Sequence, residues 1–211
     1  MSRIVIAGAG AQGAIVADIL RDAAAGFVDD RPSKRGALVL GLPVLGPLAA
    51  LRDIEHDAVV VAVGDNRLRR ELIEKLLALG ERLATAIHPF ASVAPSASIG
   101  EGSMISAGAL VLPRAVIGRG VILNTKSSVD HDSAIGDFAH IAPGATVGGN
   151  VRIGEETLIG TGATVVSGAA VGARSVIGAG AVVVRDVPDD VTAFGVPARI
   201  TSDRRSAVPT R

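Results

Sequence analysis

An aliphatic residue recurs at every sixth position between Ile87 and Val183, seventeen times in succession and without an insertion. A period of six fits neither the 3.6-residue turn of an α-helix nor the two-residue alternation of a half-buried strand. It is typical of a β-solenoid, in which turns join short strands and each repeat places one aliphatic side chain in the interior. With a triangular cross-section, three repeats make one coil of 18 residues. The repeat therefore predicts a parallel β-helix over residues 87–200.

The composition agrees with such a fold. The 211 residues include 26 Gly but only four Phe and no Trp or Tyr, so aliphatic side chains must fill the core. Glycine often follows the periodic aliphatic residue, and we expect turns there that need backbone angles which other residues rarely adopt. These glycines are Gly100, Gly118, Gly136, Gly148, Gly154, Gly160, Gly172 and Gly178.

Charge and composition exclude several classes of protein. Lys and Arg number 21, as do Asp and Glu, so nothing favours binding to nucleic acid or to an anionic membrane. Without cysteine there is no disulfide, no thiolate metal site and no cysteine nucleophile. No apolar run reaches the roughly 18 residues of a membrane span, and the N-terminus lacks the pattern of a signal peptide. We expect a soluble cytoplasmic protein.

The first 85 or so residues alternate short apolar runs with helical periodicity. We predict strands over residues 4–7, 26–30 and 57–63, and helices from the glycine motif to about residue 25, over 47–54 and over 67–79. This alternation indicates a small, Rossmann-like parallel sheet of the α/β class, large enough for one mononucleotide-binding half. The predicted domains are thus residues 1–86 and 87–200, followed by a tail, 201–211, that we expect to be flexible.

The motif GAGAQG, residues 8–13, matches G-x-G-x-x-G between a predicted strand and a predicted helix. Its glycines let a ligand approach the backbone, and the helix N-terminus attracts an anion, so we expect a phosphate-bearing nucleotide. Asp29 and Asp30 end the next strand and could accept ribose or base donors; Gly64 ends another strand and can line the same crevice. The alternative is a tight corner without a ligand, two solvated acids and a helix N-cap at Asp65 or Asn66.

Two polar turns break the six-residue pattern, one at residues 124–126, which begins with Asn124, and one at residues 130–132. The second reads Asp-His-Asp. A histidine flanked by carboxylates is a candidate general base, because an imidazole has an ordinary pKa near 6.5. The alternative is a solvated polar turn.

His140 lies nine residues after His131, which is half a coil, so the two imidazoles cannot face one point within a single chain. They could converge only across a boundary between neighbouring chains, which favours an intersubunit site in a homo-oligomer. A metal site would need a third imidazole, and His88 is more than two coils from His131. We therefore expect no metal.

Taken together, these motifs resemble those of the hexapeptide-repeat sugar acetyltransferases with a small nucleotide-binding N-terminal domain. That family includes sialic acid O-acetyltransferases and N-acetyltransferases of nucleotide-linked amino sugars. The resemblance covers nearly the whole chain, to about residue 200, and is carried by GAGAQG, FVDD, AVGDNRLR, AIHPFASV, DHDSAIGDFAHIAPGA and FGVPARI. One departure concerns the glycine loop, where many relatives have G-x-G-G-H-G and this chain has Ala11-Gln12.

The resemblance implies a left-handed parallel β-helix, a homotrimer, and acetyl-CoA bound in grooves between neighbouring β-helices. It implies that His131 is the general base and that Asp132 orients it and raises its basicity. The residues that would bind acetyl-CoA are His140, Gly149, Thr161, Ala179, Pro197 and Arg199. Those that would bind the nucleotide-linked sugar are Gly10, Ala11, Gln12, Asp29 and Asp30, to which we add Gly64 and Asn124.

The function predicted on this basis is transfer of acetyl from acetyl-CoA to the amino group of a nucleotide-linked 4-amino-4,6-dideoxy sugar, in glycan or surface polysaccharide biosynthesis. Transfer would be direct, within a ternary complex. One alternative is O-acetylation of a sialic-acid-type sugar on the same scaffold. An alternative of another class is a non-catalytic oligomerising scaffold with a nucleotide-sensing domain.

Overall fold

The computed structural model of the chain describes residues 3–203, which begin with an α/β domain. Its five-stranded sheet has the order β3-β4-β2-β1-β5 and is parallel except for the β3–β4 pair. The carboxyl ends of β1, β2 and β5 therefore meet at one edge. The elements are β1 (Ile4–Ala7), α1 (Ala11–Leu20), β2 (Ala24–Val28), β3 (Leu38–Val39), β4 (Leu42–Gly46), β5 (Ala58–Val61) and α2 (Asn66–Ala78), with 3-10 helices at Arg21–Ala23, Pro32–Lys34 and Leu48–Asp53.

The helices and strands of this domain differ from the prediction at several points. The helix predicted over 47–54 is the 3-10 helix Leu48–Asp53, and two larger differences have a clear cause. Helix α1 ends at Leu20 rather than near residue 25, because Arg21 takes a φ of 50° and the chain enters β2 at Ala24. The β3–β4 hairpin was not predicted, because its strands are short and Leu38 is exposed, leaving little hydrophobic pattern. Within residues 3–203 no helix is both long and apolar enough to cross a membrane.

Seventeen two-residue strands, β6 to β22, form a triangular β-helix. Each pairs in parallel with the strands 18 residues away, so three strands complete one coil and the coils stack into three faces. Face 1 contains β6 and every third strand after it, face 2 begins with β7 and face 3 with β8. The strands are Ala86–Ile87, Ser92–Val93, Ser98–Ile99, Met104–Ile105, Leu110–Val111, Val116–Ile117, Ile122–Leu123, Ser128–Val129, Ala134–Ile135, His140–Ile141, Thr146–Val147, Arg152–Ile153, Leu158–Ile159, Thr164–Val165, Ala170–Val171, Val176–Ile177 and Val182–Val183.

The second residue of every one of these strands is a predicted periodic aliphatic residue, which confirms the hexapeptide β-helix. From Ile105 to Val183 these side chains are buried in one continuous core. Only the first coil departs from the rule. Ile87 is 43% exposed, and Val93 and Ile99 are half-buried, because no coil precedes theirs in the stack.

The left-handed backbone positions of the β-helix are also periodic, but they are not those predicted. Positive φ recurs every six residues between Gly102 and Gly180, three residues after the aliphatic position. The glycines directly after the aliphatic residues have ordinary φ. These positions are glycine because the coils stack closely there and leave no room for a side chain. A Cβ on Gly136 would lie 2.6 Å from the backbone N of Glu155 in the next coil.

The β-helix ends in an antiparallel hairpin of β23 (Val191–Phe194) and β24 (Arg199–Asp203), and β23 continues face 1. Residues 201–203, expected to belong to a flexible tail, are thus part of a strand. The rest of the expected tail, 204–211, lies outside the described residues.

Face 1 and one corner of the β-helix carry the α/β domain. Met104 and Ile122, which project outward from face 1, are buried in one hydrophobic cluster with Val16 and Ala17 of α1. Phe138, at the corner between faces 3 and 1, is buried in a second cluster with residues of α2. Two hydrophobic clusters, distinct from the interior core of the β-helix, therefore span the domain boundary.

Candidate active site

A cleft of about 460 Å³ opens at the carboxyl edge of the sheet. The glycine loop, the residues after β2 and β5, and apolar side chains of α2 form its walls. A cleft of this size, mostly apolar with a few polar groups, is suited to a small ligand. Six of the seven predicted substrate-binding residues line it: Gly10, Ala11, Gln12, Asp29, Asp30 and Gly64.

The glycine loop brings bare backbone to the cleft. Gly8 has a φ of 113°, which other residues rarely adopt, and a Cβ on Gly13 would collide with the carbonyl oxygen of Gly8. Gly10 precedes α1 without a capping side chain, so the N–H groups of the first turn stay open to a ligand. Such a helix terminus favours an anion, as the motif predicted.

Asp29 differs from its predicted role of accepting ribose or base donors. The backbone N–H of Ala9 donates to Oδ2 (2.8 Å), and Arg31 donates through its backbone N, Nε and Nη2 (3.0, 2.8 and 2.5 Å). These four donors fill the acceptor sites of the carboxylate. The Arg31 guanidinium holds the pKa of Asp29 well below its usual range, against the effect of burial. Asp29 thus fixes the glycine loop and Arg31.

Arg31, which sequence reasoning missed, contributes the only positive charge to the cleft wall in the described part of the chain. Its side chain is 56% exposed, and its Nη2 would lie 3.7 Å from a Cβ on Gly10. The bidentate pair with Asp29 leaves its remaining N–H groups free to meet a ligand beside the glycine loop.

Asp30 and Gln12 also have partners. One carboxylate oxygen of Asp30 accepts a hydrogen bond from the backbone N–H of Leu48 (2.7 Å), which leaves the other oxygen available to a ligand. The Gln12 amide lies 3.6 Å from Sδ of Met104 on face 1. Gln12 therefore links the glycine loop to the β-helix.

His131 and Asp132 lie in the turn between faces 2 and 3. His131 Nδ1 is 2.7 Å from Asp132 Oδ2, and the backbone N–H of His131 donates to Asp130 Oδ1 (2.7 Å). Hydrogen bonds from Arg114, and then from His131, hold the pKa of Asp132 well below its usual range. An ionised carboxylate can only accept, so Nδ1 carries the proton and neutral His131 presents the lone pair of Nε2.

Arg114 was not predicted as part of this site. It donates through Nε and Nη2 to the two oxygens of Asp132 (2.6 and 2.7 Å). It precedes Asp132 by 18 residues, one coil, so the predicted coil length contained the signal that could have found it.

Gly149 lies one coil beyond His131 and faces its ring. A Cβ on Gly149 would lie 2.8 Å from both Cε1 and Nε2 of the imidazole. The absence of a side chain therefore leaves room for His131 in its present orientation.

His140 and Asn124 form a separate pair on the side of face 1, beneath the α/β domain. Asn124 Nδ2 lies 3.2 Å from His140 Nε2, and the imidazole also hydrogen-bonds the backbone of Gly64. Burial and, second, the charge of Arg69 lower the pKa of His140 to about 4. His140 is thus a neutral group between the domains, whereas acetyl-CoA binding was predicted for it. Asn124, predicted to bind the nucleotide-linked sugar, does not line the cleft of the α/β domain.

The remaining predicted residues are on the surface. Thr161 and Ala179 are exposed in stacked turns between faces 1 and 2, and Pro197 and Arg199 are exposed in the β23–β24 hairpin. Within one chain the predicted groups thus lie at separate corners: His131, Asp132 and Gly149 between faces 2 and 3, Asn124, Thr161 and Ala179 between faces 1 and 2. Across residues 3–203 no three His, Cys, Asp or Glu side chains are grouped to hold a metal ion.

Two family models match the chain. Residues 3–76 match the PglD N-terminal domain, and residues 150–185 match the bacterial transferase hexapeptide (six repeats). A comparison with curated proteins finds no match.

Solved structures match over nearly the full length. A point mutant of the GDP-perosamine N-acetyltransferase of Caulobacter crescentus, in complex with CoA and GDP-perosamine, is 40% identical, with a TM-score of 0.91 and coverage of 96% of this chain and 98% of that one. The acetyltransferase domain of PglB from Neisseria gonorrhoeae, in complex with acetyl coenzyme A, is 41% identical, with a TM-score of 0.90 and coverage of 95% and 99%. WeeI from Acinetobacter baumannii is 29% identical, with a TM-score of 0.85 and coverage of 95% and 100%.

Proposed function

The chain belongs to the hexapeptide-repeat acetyltransferases of nucleotide-linked sugars, and we propose that it transfers acetyl from acetyl-CoA to the amino group of a nucleotide-linked 4-amino-4,6-dideoxy sugar. The similarity to an enzyme that acts on GDP-perosamine supports this substrate class. The cleft in the α/β domain, with its open helix terminus and Arg31, supports the binding of a nucleotide diphosphate. We place the reaction in the cytoplasm.

One observation carries the proposed chemistry: Arg114 donates to Asp132 and Asp132 holds Nδ1 of His131, so the lone pair of Nε2 is left for a substrate on a side chain that is 49% exposed. An imidazole held in one tautomer by an ionised carboxylate is a general base, and the lone pair is the group that accepts the proton. Asp132 holds the ring in place and stabilises the imidazolium once it forms.

The transfer is direct. The amine nitrogen attacks the thioester carbonyl carbon, and Nε2 of His131 takes the proton that the nitrogen loses. The carbon–sulfur bond then breaks, and the proton passes to the departing sulfur. The products are the N-acetylated sugar nucleotide and free CoA, and His131 returns to its neutral form.

We also propose that the active site is completed between subunits of a homotrimer. Except for Gly149, the predicted acetyl-CoA residues lie away from the corner of His131, so a single chain cannot bring all of them to one ligand at that histidine. Packing of neighbouring β-helices side by side would bring the corner of Thr161 and Ala179 in one copy to the corner of His131 in the next. Outward apolar residues such as Leu110 and Val116, which are 43% and 52% exposed, supply surface for such packing.

The test is an acetyl-transfer assay on the full chain with acetyl-CoA and a panel of GDP-, UDP-, TDP- and CMP-linked sugars. CoA release can be followed with a thiol reagent without background, because the protein has no cysteine. We expect acetylation of a 4-amino sugar nucleotide, identified by mass spectrometry, and little turnover of the 4-hydroxy counterpart. Acetylation of a sialic-acid-type hydroxyl would instead make the protein an O-acetyltransferase. Calorimetry that detects no binding of acetyl-CoA would leave only the scaffold function.

A further inference from the structure

Arg69, in the second turn of α2, is completely buried. In the described part of the chain it makes no ion pair with a carboxylate, although Asp65 and Glu156 favour its charge from a distance. Burying an arginine is costly unless its charge and its donors are satisfied. All five of its N–H groups are used. The acceptors are Gly120 O for Nε (2.7 Å), Val63 O and Gly64 O for Nη1 (3.0 and 3.2 Å), and Asn66 Oδ1, Phe138 O and Ala139 O for Nη2 (2.9, 2.6 and 3.3 Å).

These acceptors come equally from the two domains, and all but one are backbone carbonyls. Val63 and Gly64 line the nucleotide cleft. Phe138 and Ala139 directly precede His140 on the β-helix. One rigid guanidinium therefore fixes the main chain of the cleft wall relative to the main chain that carries His140.

The connection continues into the His140–Asn124 pair. Gly64 accepts from Arg69 and is also hydrogen-bonded by the imidazole of His140. Nε2 of the same ring lies 3.2 Å from Asn124 Nδ2, and Asn124 Oδ1 accepts from the backbone N–H of Thr125 (2.8 Å). An unbroken set of hydrogen bonds thus runs from the cleft to the corner between faces 1 and 2.

We propose that Arg69 is a positioning residue for catalysis. It holds the nucleotide cleft and the His140–Asn124 pair in one fixed geometry, and the amino group of the bound sugar therefore reaches the correct position on the β-helix. This inference rests on the proposed function, in which the two substrates are held by different domains. A misplacement of about 1 Å between reacting groups can cost about 100-fold in rate.

Domain adhesion alone does not account for such an arginine, because other contacts already join the domains. Phe138 packs against α2, Asn66 Nδ2 donates to Glu156 O (2.9 Å), and Arg70 pairs with Glu156 (2.6 Å). Arg69 adds a planar guanidinium group that donates hydrogen bonds to six acceptors at once. A lysine, with three donors at one point, cannot reproduce this geometry.

The test compares Arg69→Met and Arg69→Lys with wild type and with the control Arg67→Met. Arg67 lies on the same helix, is 83% exposed and pairs only with Glu71 in the described residues. We expect kcat to fall about 100-fold in R69M, with KM for acetyl-CoA unchanged, and to fall less in R69K. An NMR pH titration of the His140 ring should show its pKa moving up from about 4 in R69M, and unchanged in R67M.

Wild-type kcat in a folded R69M or R69K would overturn the proposal, and so would a reduced kcat in R69M with an unchanged His140 titration. If R69M does not fold, R69K decides by kcat alone, because a lysine keeps the positive charge that acts on His140. If the wild-type protein acetylates no sugar nucleotide, the proposed function fails, and the His140 titration, which needs no turnover, still decides whether Arg69 sets the surroundings of His140.

Discussion

Arg114 and Asp132 stand one above the other on adjacent coils, and the guanidinium of the first holds both oxygens of the second at 2.6 and 2.7 Å. The same carboxylate receives Nδ1 of His131 at 2.7 Å. The imidazole orientation therefore depends on a residue one full coil earlier in the chain. The register of the β-helix, rather than local sequence, assembles this group.

Replacing His131 by Ala should lower kcat by about 10² to 10⁴, the range that a positioned general base contributes. Arg114→Met should lower kcat less, because Asp132 still orients the ring but loses its own restraint. Arg52→Met is the control, since Arg52 is 82% exposed and pairs only with Asp53 among the described residues. CoA release measures all three variants. Near-wild-type turnover by H131A would remove His131 from the mechanism.

The pH dependence of the Arg114 variant has a definite sign. In wild type the hydrogen bonds from Arg114 and His131 hold the pKa of Asp132 low, so the carboxylate stays ionised in moderate acid. Without Arg114 this pKa should rise toward the ordinary 3.8. An NMR titration of the Asp132 carboxyl should then show its pKa at a higher value in R114M than in wild type, and an unshifted titration would show that Arg114 does not control Asp132.

Gly149→Ala should impair turnover while sparing the fold. The added methyl would lie 2.8 Å from Cε1 and Nε2 of His131, so the ring has to turn away from the substrate. We expect a large loss of kcat with a thermal midpoint close to wild type. An active G149A protein would mean that the ring works in another orientation.

Arg31→Gln should weaken the binding of nucleoside diphosphates and leave nucleosides almost unaffected. Arg31 is the cation on the cleft wall, facing two carboxylates, Asp29 and Asp30, that would otherwise repel a diphosphate. Calorimetry with GDP and guanosine, or with UDP and uridine, measures the difference at two salt concentrations. Equal losses for nucleotide and nucleoside would point to damage of the loop instead of a lost phosphate contact.

The free energy of unfolding should decline in mild alkali, because His56 then loses its proton. Burial disfavours its charged form, but hydrogen bonds to Ile54 O (2.7 Å) and Glu81 Oε2 (2.8 Å) outweigh it and raise the pKa of His56. Since the folded state holds the proton more tightly, the stabilisation is full below about pH 6.5 and is lost as pH rises through the folded-state pKa. Melting curves of H56Q should lack this slope. A parallel slope in the variant would assign it to another group.

His140 should lower the free energy of unfolding as pH falls, which is the opposite pH dependence to that of His56. Its pKa falls from 6.5 to about 4 on folding, so the folded state excludes the proton. The stabilisation is full above about pH 6.5 and disappears as pH drops toward 4, by about 3 kcal/mol. In urea melts H140Q should lose less stability than wild type over this interval. The same acid loss in both proteins would contradict the assignment.

The β-helix could be predicted from the repeat because every sixth residue is buried in the interior and therefore has to be aliphatic. All seventeen aliphatic positions end a strand. The left-handed positions of the turns were predicted wrongly, because sequence alone does not show which turn residue meets the next coil. Arg114 takes a positive φ at a position where other repeats have Gly102 and Gly108.

The cleft was predictable as a place but not in its contacts. The motif and the strand ends identified six lining residues, because carboxyl ends of parallel strands share an edge. The ion pair of Asp29 with Arg31 could not be predicted from the sequence, because it depends on the side-chain rotamer of Arg31. Arg69 was missed for another reason: its acceptors are mostly backbone carbonyls, which leave no pattern in the sequence.

The stacking of coils in fixed register has a consequence for how such a protein can evolve. Arg114, Asp132 and Gly149 act together because each lies close to one coil from its neighbour, so a single-residue insertion between any two of them would displace one from the group. Change at this site must come by substitution. A whole coil of 18 residues could be added beyond Val183, lengthening the stack by about 4.8 Å without changing the spacing of Arg114, Asp132 and Gly149. The chain can therefore vary in length in steps while its chemistry stays in place.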